Sequence, residues 1–144
     1  MGNPPQIKLY LVDDDTVFLK SLEIDFIGKT VFEVHCFQTG EDCLAAMDGK
    51  PDIVILDYLL DGLNPMAING IETLDGIKTI DSEIPVIMLS GQDKIDVAVN
   101  CMHHKAYDYV VKSETAFLRL ERNIANILKS KQMETQLEWY MERM

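Results

Sequence analysis

Five apolar runs alternate along the chain with segments whose apolar residues recur every three or four positions. The runs are rich in Val, Ile, Leu and aromatic residues and predict strands at 7–12, 31–37, 53–57, 85–89 and 107–111. Four of the other segments have the spacing of amphipathic helices. Their marker residues are Phe18, Leu19, Leu22 and Phe26; Ile71, Leu74, Ile77 and Ile80; Ile95, Val99 and Met102; and Phe117, Leu120, Ile124 and Leu128. This alternation predicts an α/β fold with a parallel sheet covered on both faces.

Two helix starts are indicated by polar residues. Thr39-Gly40-Glu41-Asp42 has the form of a capping box with Asp at the third helical position, and it predicts a second helix through Met47. Asp15 precedes the first apolar helical stripe, so we expect it to cap that helix rather than to bind a metal.

The ends of three predicted strands carry charged residues. The first strand runs into Asp13 and Asp14, the third into Asp57 and the fifth into Lys112. Reactive groups in open α/β sheets collect beyond the carboxyl ends of the strands. These side chains should therefore surround one crevice. Crowded carboxylates repel one another unless a cation lies among them, and a small set of oxygen ligands suits Mg²⁺.

Length, charge and cysteine content restrict the class of protein. The 144 residues suit one domain, and a formal net charge of −11 argues against direct binding to nucleic acid. The three cysteines are scattered, without CxxC spacing, as expected of free thiols in a reducing cytoplasm. No apolar stretch approaches the ~20 residues that span a bilayer. Residues 1–6 lack the basic and apolar regions of a signal peptide, so we interpret them as a lead-in.

Four motifs, in order and each at a strand end, resemble those of a known family. They are Val12-Asp13-Asp14, Asp57, Met88-Leu89-Ser90-Gly91 and Tyr109-Val110-Val111-Lys112. Together they resemble the receiver domain of two-component response regulators, which is CheY-like, over residues 6–128. The resemblance implies a flavodoxin-like (βα)5 fold, a doubly wound parallel sheet with strand order 2-1-3-4-5.

The resemblance also implies roles for the acidic residues. Asp57 would be the phosphoryl acceptor, since a carboxylate can act as a nucleophile and form an aspartyl phosphate. Asp13 and Asp14 would hold Mg²⁺ together with Asp57 and the backbone carbonyl of Leu59. The metal would neutralise charge that develops during phosphoryl transfer.

Three further roles follow from the same resemblance. Lys112 would pair with Asp57 and then with the phosphoryl group. The Ser90 hydroxyl would bind a phosphoryl oxygen, with Gly91 leaving room for the group to enter. Tyr109 would be the aromatic switch that reports this event to the surface of the fourth helix, fifth strand and fifth helix. The phosphodonor would be a sensor histidine kinase or a phosphotransfer protein.

Two features depart from the family pattern. Family members usually have a Gly about eight residues after the acceptor Asp, but here Gly70 lies 13 positions after Asp57. The intervening loop is therefore longer and should overhang the site, either as a gate or as a passive insertion. Ser113 stands where the family has Pro, whose bond to the preceding Lys is normally cis, so a trans bond here would alter the aim of Lys112.

The C-terminal segment contains neither Gly nor Pro from Glu114 onward, which predicts an extended helix of ~46 Å. We assign 7–128 to the receiver domain and 129–144 to a helical extension. Met133, Leu137, Tyr140 and Met144 have 4-3-4 spacing, which suits a coiled-coil seam in a homodimer or a signalling helix. A frayed, truncated tail is the alternative, and both interpretations stay open.

These features favour a phosphorylation-controlled switch in the cytoplasm, without direct contact with nucleic acid or membrane. Such a protein catalyses only its own phosphorylation and dephosphorylation. One alternative is an Mg²⁺-dependent phosphatase with an Asp nucleophile. Such enzymes usually carry a second Asp two positions later, where this chain has Leu59. The other alternative is a receiver-like interaction module that is never phosphorylated.

Overall fold

The strands of the chain form a single parallel sheet in the order β2-β1-β3-β4-β5, which confirms the predicted topology. The computed structural model describes residues 6–29, 31–60, 62 and 65–143. The strands are β1 Ile7–Val12, β2 Phe32–Phe37, β3 Ile53–Asp57, β4 Val86–Ser90 and β5 Asp108–Val111. The helices are α1 Thr16–Ile27, α2 Gly40–Ala45, α3 Gly70–Ile80, α4 Ile95–His103 and α5 Ala116–Arg143, with a 3₁₀ turn at Met47–Gly49.

The register of the sheet brings the carboxyl ends of its central strands together. Val12 of β1 lies beside Leu56 of β3, and Leu56 lies beside Met88 of β4. At the other side of β4, Ser90 pairs with Val111. The residues that follow these positions therefore share one edge, as a parallel sheet requires.

Two apolar cores lie on opposite faces of the sheet. One is covered by α2, α3 and α4 and includes Cys43, Leu74, Ile77, Val97 and Cys101. The other is covered by α1 and α5 and includes Leu19, Leu22, Phe26, Leu120 and Ile124. The inner strands are apolar on both faces, because both faces are covered.

The fourth helix forms where it was predicted, but the three apolar residues that marked it do not form its buried face. Val97 and Cys101 are buried, whereas Ile95, Val99 and Met102 are 84%, 48% and 49% exposed. Apolar residues occupy both sides of this helix, so periodicity alone did not identify the side that packs on the sheet. Ile80 of α3 is likewise exposed, at 56%.

The helix starts agree with the sequence in part. The Asp15 carboxylate accepts the N–H groups of Val17 and Phe18 at 3.1 and 3.2 Å and caps α1, as expected. Thr39 caps α2 by accepting the Asp42 N–H. However, α2 ends at Ala45, before the predicted end at Met47.

A reciprocal capping box occurs at the start of α3 instead. Asn69 accepts the Glu72 N–H at 2.8 Å, and the Glu72 carboxylate accepts the Asn69 N–H at 3.1 Å. Four orphan N–H groups open every helix, and this arrangement satisfies two donors at once. The start of α3 is thereby fixed at the end of the long loop after β3.

The fifth helix is continuous over 28 residues, a length of ~42 Å. It therefore crosses the sequence-based boundary at 128/129 without a break. Every side chain described from Lys129 onward is exposed. Met144 and the Tyr140 side chain, two members of the proposed seam, lie outside the described residues. Among the described helices, none is long and apolar enough to cross a membrane.

Candidate functional site

Two buried carboxylates lie side by side at the carboxyl edge of the sheet. Asp13 directly follows β1, and its N–H donates to the carbonyl of Phe37 at 3.0 Å. Asp57 is the last residue of β3. Their residues are only 1% and 3% exposed, respectively. The strands thus place two acidic groups where water can solvate neither well.

Lys112 supplies the positive charge of the site from the end of β5. Its N–H donates to the Ser90 carbonyl at 2.8 Å, which continues the ladder between β4 and β5. Its Nζ lies 2.8 Å from Asp13 Oδ2 and 3.4 Å from Asp57 Oδ1. Lys112 therefore bridges both carboxylates and lies closer to Asp13 than to the Asp57 partner that was expected.

The Ser at the position after Lys112 does not misdirect the ammonium. There is no cis peptide bond in the described parts of the chain, so the Lys112–Ser113 bond is trans. Nζ nevertheless reaches both carboxylates. It also lies 4.7 Å from the centroid of the Phe18 ring on α1, within the range of a cation–π contact. Phe18 was predicted only as part of a core stripe, and its spacing gave no sign of this contact.

Burial and mutual repulsion alter the acidity of the site. Burial, followed by repulsion from Asp13, holds the pKa of Asp57 well above its usual range, although Lys112 opposes the shift. Burial also disfavours the charge on Lys112, but its hydrogen bond to Asp13 and its attraction to Asp57 outweigh that effect and raise its pKa. The negative charges are therefore only partly compensated by the one lysine.

The donor atoms at this edge suit a hard divalent cation. Asp13, Asp14 and Asp57 each offer a carboxylate oxygen, and these oxygens lie within 4.8 Å of one another. Oxygen donors and excess negative charge are what Mg²⁺ requires. The buried Asp13 Oδ2 faces the Lys112 ammonium at 2.8 Å, and no other N–H group of the described residues donates to it. The residues present thus fit the metal that the sequence predicts.

Ser90 and Tyr109 are connected through one backbone residue, Gln92. The Gln92 N–H donates to Ser90 Oγ at 3.1 Å, and the Tyr109 hydroxyl donates to the Gln92 carbonyl. Ser90 is 1% exposed, whereas Tyr109 is half-buried. Sequence reasoning did not identify Gln92, because both contacts use its backbone and leave no signal in the side chain.

The long loop between β3 and α3 also contacts the acidic cluster. The Gly62 N–H donates to Asp14 Oδ2 at 2.7 Å. At the far end of the loop, Gly70 donates its N–H to the Tyr58 carbonyl at 3.1 Å. The loop that was expected to overhang the site therefore contacts it at Gly62. The predicted metal contact of the Leu59 carbonyl stays a prediction.

Three carboxylates and a lysine thus meet at the carboxyl edge of a five-stranded, doubly wound parallel sheet. The sequence profile described as "Response regulator receiver domain" matches residues 9–125, most of the chain. The chain belongs to the response regulator receiver domain family. The resemblance drawn from the four motifs is thereby confirmed.

Individual proteins that are similar to this chain belong to the same family. The transcriptional regulatory protein PrrA of Mycobacterium tuberculosis is 30% identical over 73% of this chain and 43% of its own length. The receiver domain of a LuxO repressor protein from Vibrio parahaemolyticus has a TM-score of 0.78 at 25% identity, over 92% of this chain and 98% of that one. NtrX of Brucella abortus has a TM-score of 0.77 at 28% identity, over 95% and 30% of the two chains. The chain spans less than half the length of the curated relative PrrA.

Proposed function

We propose that this domain accepts a phosphoryl group on Asp57 from a sensor histidine kinase or phosphotransfer protein and switches its surface in response. The observation that carries the proposal is the convergence of Asp13, Asp14, Asp57 and Lys112 at one edge of the sheet. Buried like charges are costly, and perturbed acidic groups concentrate at functional sites. The proposed activity is limited to the domain's own phosphorylation and dephosphorylation.

Mg²⁺ is the proposed cofactor. Asp13, Asp14 and Asp57 would hold it through carboxylate oxygens, with the backbone carbonyl of Leu59 as a further ligand. Bound there, the ion would neutralise charge that develops on the transferring phosphoryl oxygens. Magnesium would also relieve the repulsion that raises the Asp57 pKa.

The chemical step uses an Asp57 carboxylate oxygen as the nucleophile. That oxygen forms a bond to phosphorus while the bond from phosphorus to the donor's leaving group breaks. Dephosphorylation is the attack of water on the same phosphorus, which returns the carboxylate and releases inorganic phosphate. Lys112 lies 3.4 Å from Asp57 Oδ1 and would attract the phosphoryl oxygens as a compact positive charge.

Ser90 and Tyr109 are proposed to report phosphorylation to the surface. The Ser90 hydroxyl would donate to a phosphoryl oxygen, and a Cβ added to its neighbour Gly91 would meet no described atom within 4 Å, so there is room for the group. A shift of Ser90 would strain its bond with the Gln92 N–H, and the Gln92 carbonyl is held by Tyr109. The signal would thus reach the surface formed by α4, β5 and α5.

The exposed end of α5 supports a homodimer. Met133 and Leu137 are each 61% exposed, and apolar surface in water costs ~25 cal/mol per Å². If Met133 and Leu137 occupy the d and a positions of a seam, Lys129 falls at g and Glu134 at the next e. In a parallel pair these opposite charges face each other across the two helices, which favours two copies side by side.

The remaining partners and the location are proposed from charge and chemistry. A net charge of −11 opposes contact with nucleic acid phosphates, so we expect no direct binding by this segment. We also expect no membrane association. The three cysteines are free thiols, and burial raises the pKa of Cys43 to about 12. Such thiols suit a reducing cytoplasm. We further propose 7–128 as the receiver domain and 129–144 as its extension.

Phosphorylation by a small donor tests the proposal. With Mg²⁺ and acetyl phosphate the chain should gain one phosphoryl group, about 80 Da by intact mass, and Asp57→Asn should abolish the gain because an amide is not a competent nucleophile. Asp25→Asn, on the exposed face of α1, is the matched control and should label like the parent.

Three results would contradict the proposal. Labelling of Asp57→Asn equal to the parent would remove Asp57 as the acceptor. Turnover of a generic phosphomonoester by the unmodified chain would favour a phosphatase instead. A parent that never labels with any donor would favour an interaction module that is not phosphorylated.

A further inference from the structure

The loop between β3 and α3 is held against the acidic cluster by more than its ends. Leu60 is 1% exposed and packs in the core under α3. The Gly62 N–H donates to Asp14 Oδ2, and the Ile68 N–H donates to the Glu41 carboxylate at 3.2 Å. Loops that connect a strand to a helix usually have ~2–6 residues, so this loop is long. A passive insertion would not need these internal contacts.

A side chain at Gly62 would displace the Asp14 carboxylate. A Cβ added at Gly62 would lie 2.6 Å from Asp14 Oδ2, closer than carbon and oxygen atoms approach. Because these atoms are the end of a flexible side chain, the Asp14 carboxylate would have to move away from the Gly62 amide.

The Gly62 amide completes a set of N–H groups that hold the carboxylates in place. The Asp15 N–H donates to Asp13 Oδ1 at 2.9 Å, while Lys112 holds Asp13 Oδ2. The Gly62 N–H does the same for one oxygen of Asp14, whose side chain is only half-buried and otherwise freer to rotate. A charge-assisted hydrogen bond from an amide restricts the rotamers of the carboxylate that accepts it.

We propose that Gly62 is a positioning residue: its amide orients Asp14 for the divalent cation and couples the loop to the metal. This inference rests on the proposed function, because it assumes that Asp14 is a metal ligand. Groups that hydrogen-bond to metal ligands orient them, and their loss typically weakens metal affinity ~10–100-fold. The coupling is reciprocal, so bound Mg²⁺ must also stabilise the loop contact.

Calorimetric titration with Mg²⁺ alone tests the positioning role. Gly62→Ala should raise the Mg²⁺ dissociation constant by ~10-fold, because its methyl group pushes the Asp14 carboxylate away from the amide. Gly28→Ala is the matched control: an added Cβ there meets only backbone oxygens at 3.6 and 3.7 Å, which is ordinary contact, at the far end of α1. It should bind Mg²⁺ like the parent. Unchanged or tighter binding by Gly62→Ala overturns the proposal.

Hydrogen exchange provides a second readout that does not depend on the folding of Gly62→Ala, because it begins with the unmodified protein. Mg²⁺ should slow exchange of amides in residues 58–69 of the parent, and the effect should disappear in Asp14→Asn. If Mg²⁺ binds and this segment exchanges at the same rate, the coupling is wrong although the metal site stands. If Asp14→Asn and Asp57→Asn bind Mg²⁺ as tightly as the parent, the metal site itself is wrong.

Discussion

The carboxyl edge of the sheet buries polar side chains, whereas the last part of α5 exposes apolar ones. The edge buries polar groups, with Asp13, Asp57 and Ser90 between 1% and 3% exposed. The tail, residues 129–143, leaves apolar groups in water, with Met133 and Leu137 each 61% exposed. Burying a carboxylate without a partner and exposing an apolar side chain both cost free energy.

The two regions differ in how that cost is met. At the edge, Lys112 from the same chain compensates part of the negative charge, and the remaining charge calls for a small cation. In the tail, every described side chain is exposed, so relief requires an apolar surface from outside. The proposed metal and phosphoryl site and the proposed dimer contact therefore lie in two regions with opposite physical character.

Replacing one lysine in each region should give the largest difference in unfolding free energy between the edge and the tail. Lys112→Met leaves two buried carboxylates without their cation, and loss of one partner of a buried ion pair costs about 3–5 kcal/mol of unfolding free energy. Lys131→Met changes an exposed position in the tail, so its unfolding free energy should stay within ~0.5 kcal/mol of the parent's. Urea unfolding in EDTA measures both. Equal losses would show that the edge does not depend on its internal cation.

Magnesium should stabilise the edge and leave the tail unaffected. At ten times its dissociation constant, a ligand that binds only the folded state adds ~1.4 kcal/mol. For a domain of this size that is a rise in melting temperature of ~3–6 °C. Asp14→Asn should melt higher than the parent without metal, because one repelling charge is gone, and should lose most of the response.

The control for the magnesium experiment is Leu137→Glu, which alters the tail alone. It should keep the full rise in melting temperature. Thermal scans of the three proteins with EDTA or millimolar Mg²⁺ make the comparison. A parent that melts at the same temperature in both buffers would contradict the acidic metal site.

Self-association should depend on the tail and respond to phosphorylation at the edge. We expect a weak, concentration-dependent dimer that phosphorylation strengthens and Leu137→Glu disrupts, observed by sedimentation over a hundredfold range of concentration. Lys129→Glu should weaken it slightly, by ~0.2–1 kcal/mol, and adding Glu134→Lys should restore it if the helices are parallel. A parent that is monomeric throughout, phosphorylated or not, would leave the tail without this role.

The sequence predicted most of the fold and the composition of the edge. All five strands and helices occur close to the expected positions, and Asp13, Asp57 and Lys112 follow apolar runs that could be identified as buried strands. Because parallel strands end at a common edge, their meeting could be inferred before any distance was known. The cap at Asp15 was predicted for the same kind of local reason.

Other features could not be read from local pattern. The buried face of α4 was not predicted, since Val97 and Ile95 are both apolar and only packing on the sheet selects Val97 for burial. The contacts of Gly62 and Gln92 use backbone groups that every non-proline residue has. Nothing in their side chains distinguishes them from other loop residues.

The sequence by itself determined the alternating elements, the negative charge and the residue types at each strand end, because these depend on local periodicity and composition. Only the tertiary structure decided that the Lys112 ammonium bridges Asp13 and Asp57 although its peptide bond to Ser113 is trans. It also decided that the Gly62 amide binds Asp14 and which face of α4 remains exposed. These features depend on contacts between segments that are far apart in the chain. They are set by strand register and by packing against both faces of the sheet, which local sequence does not encode.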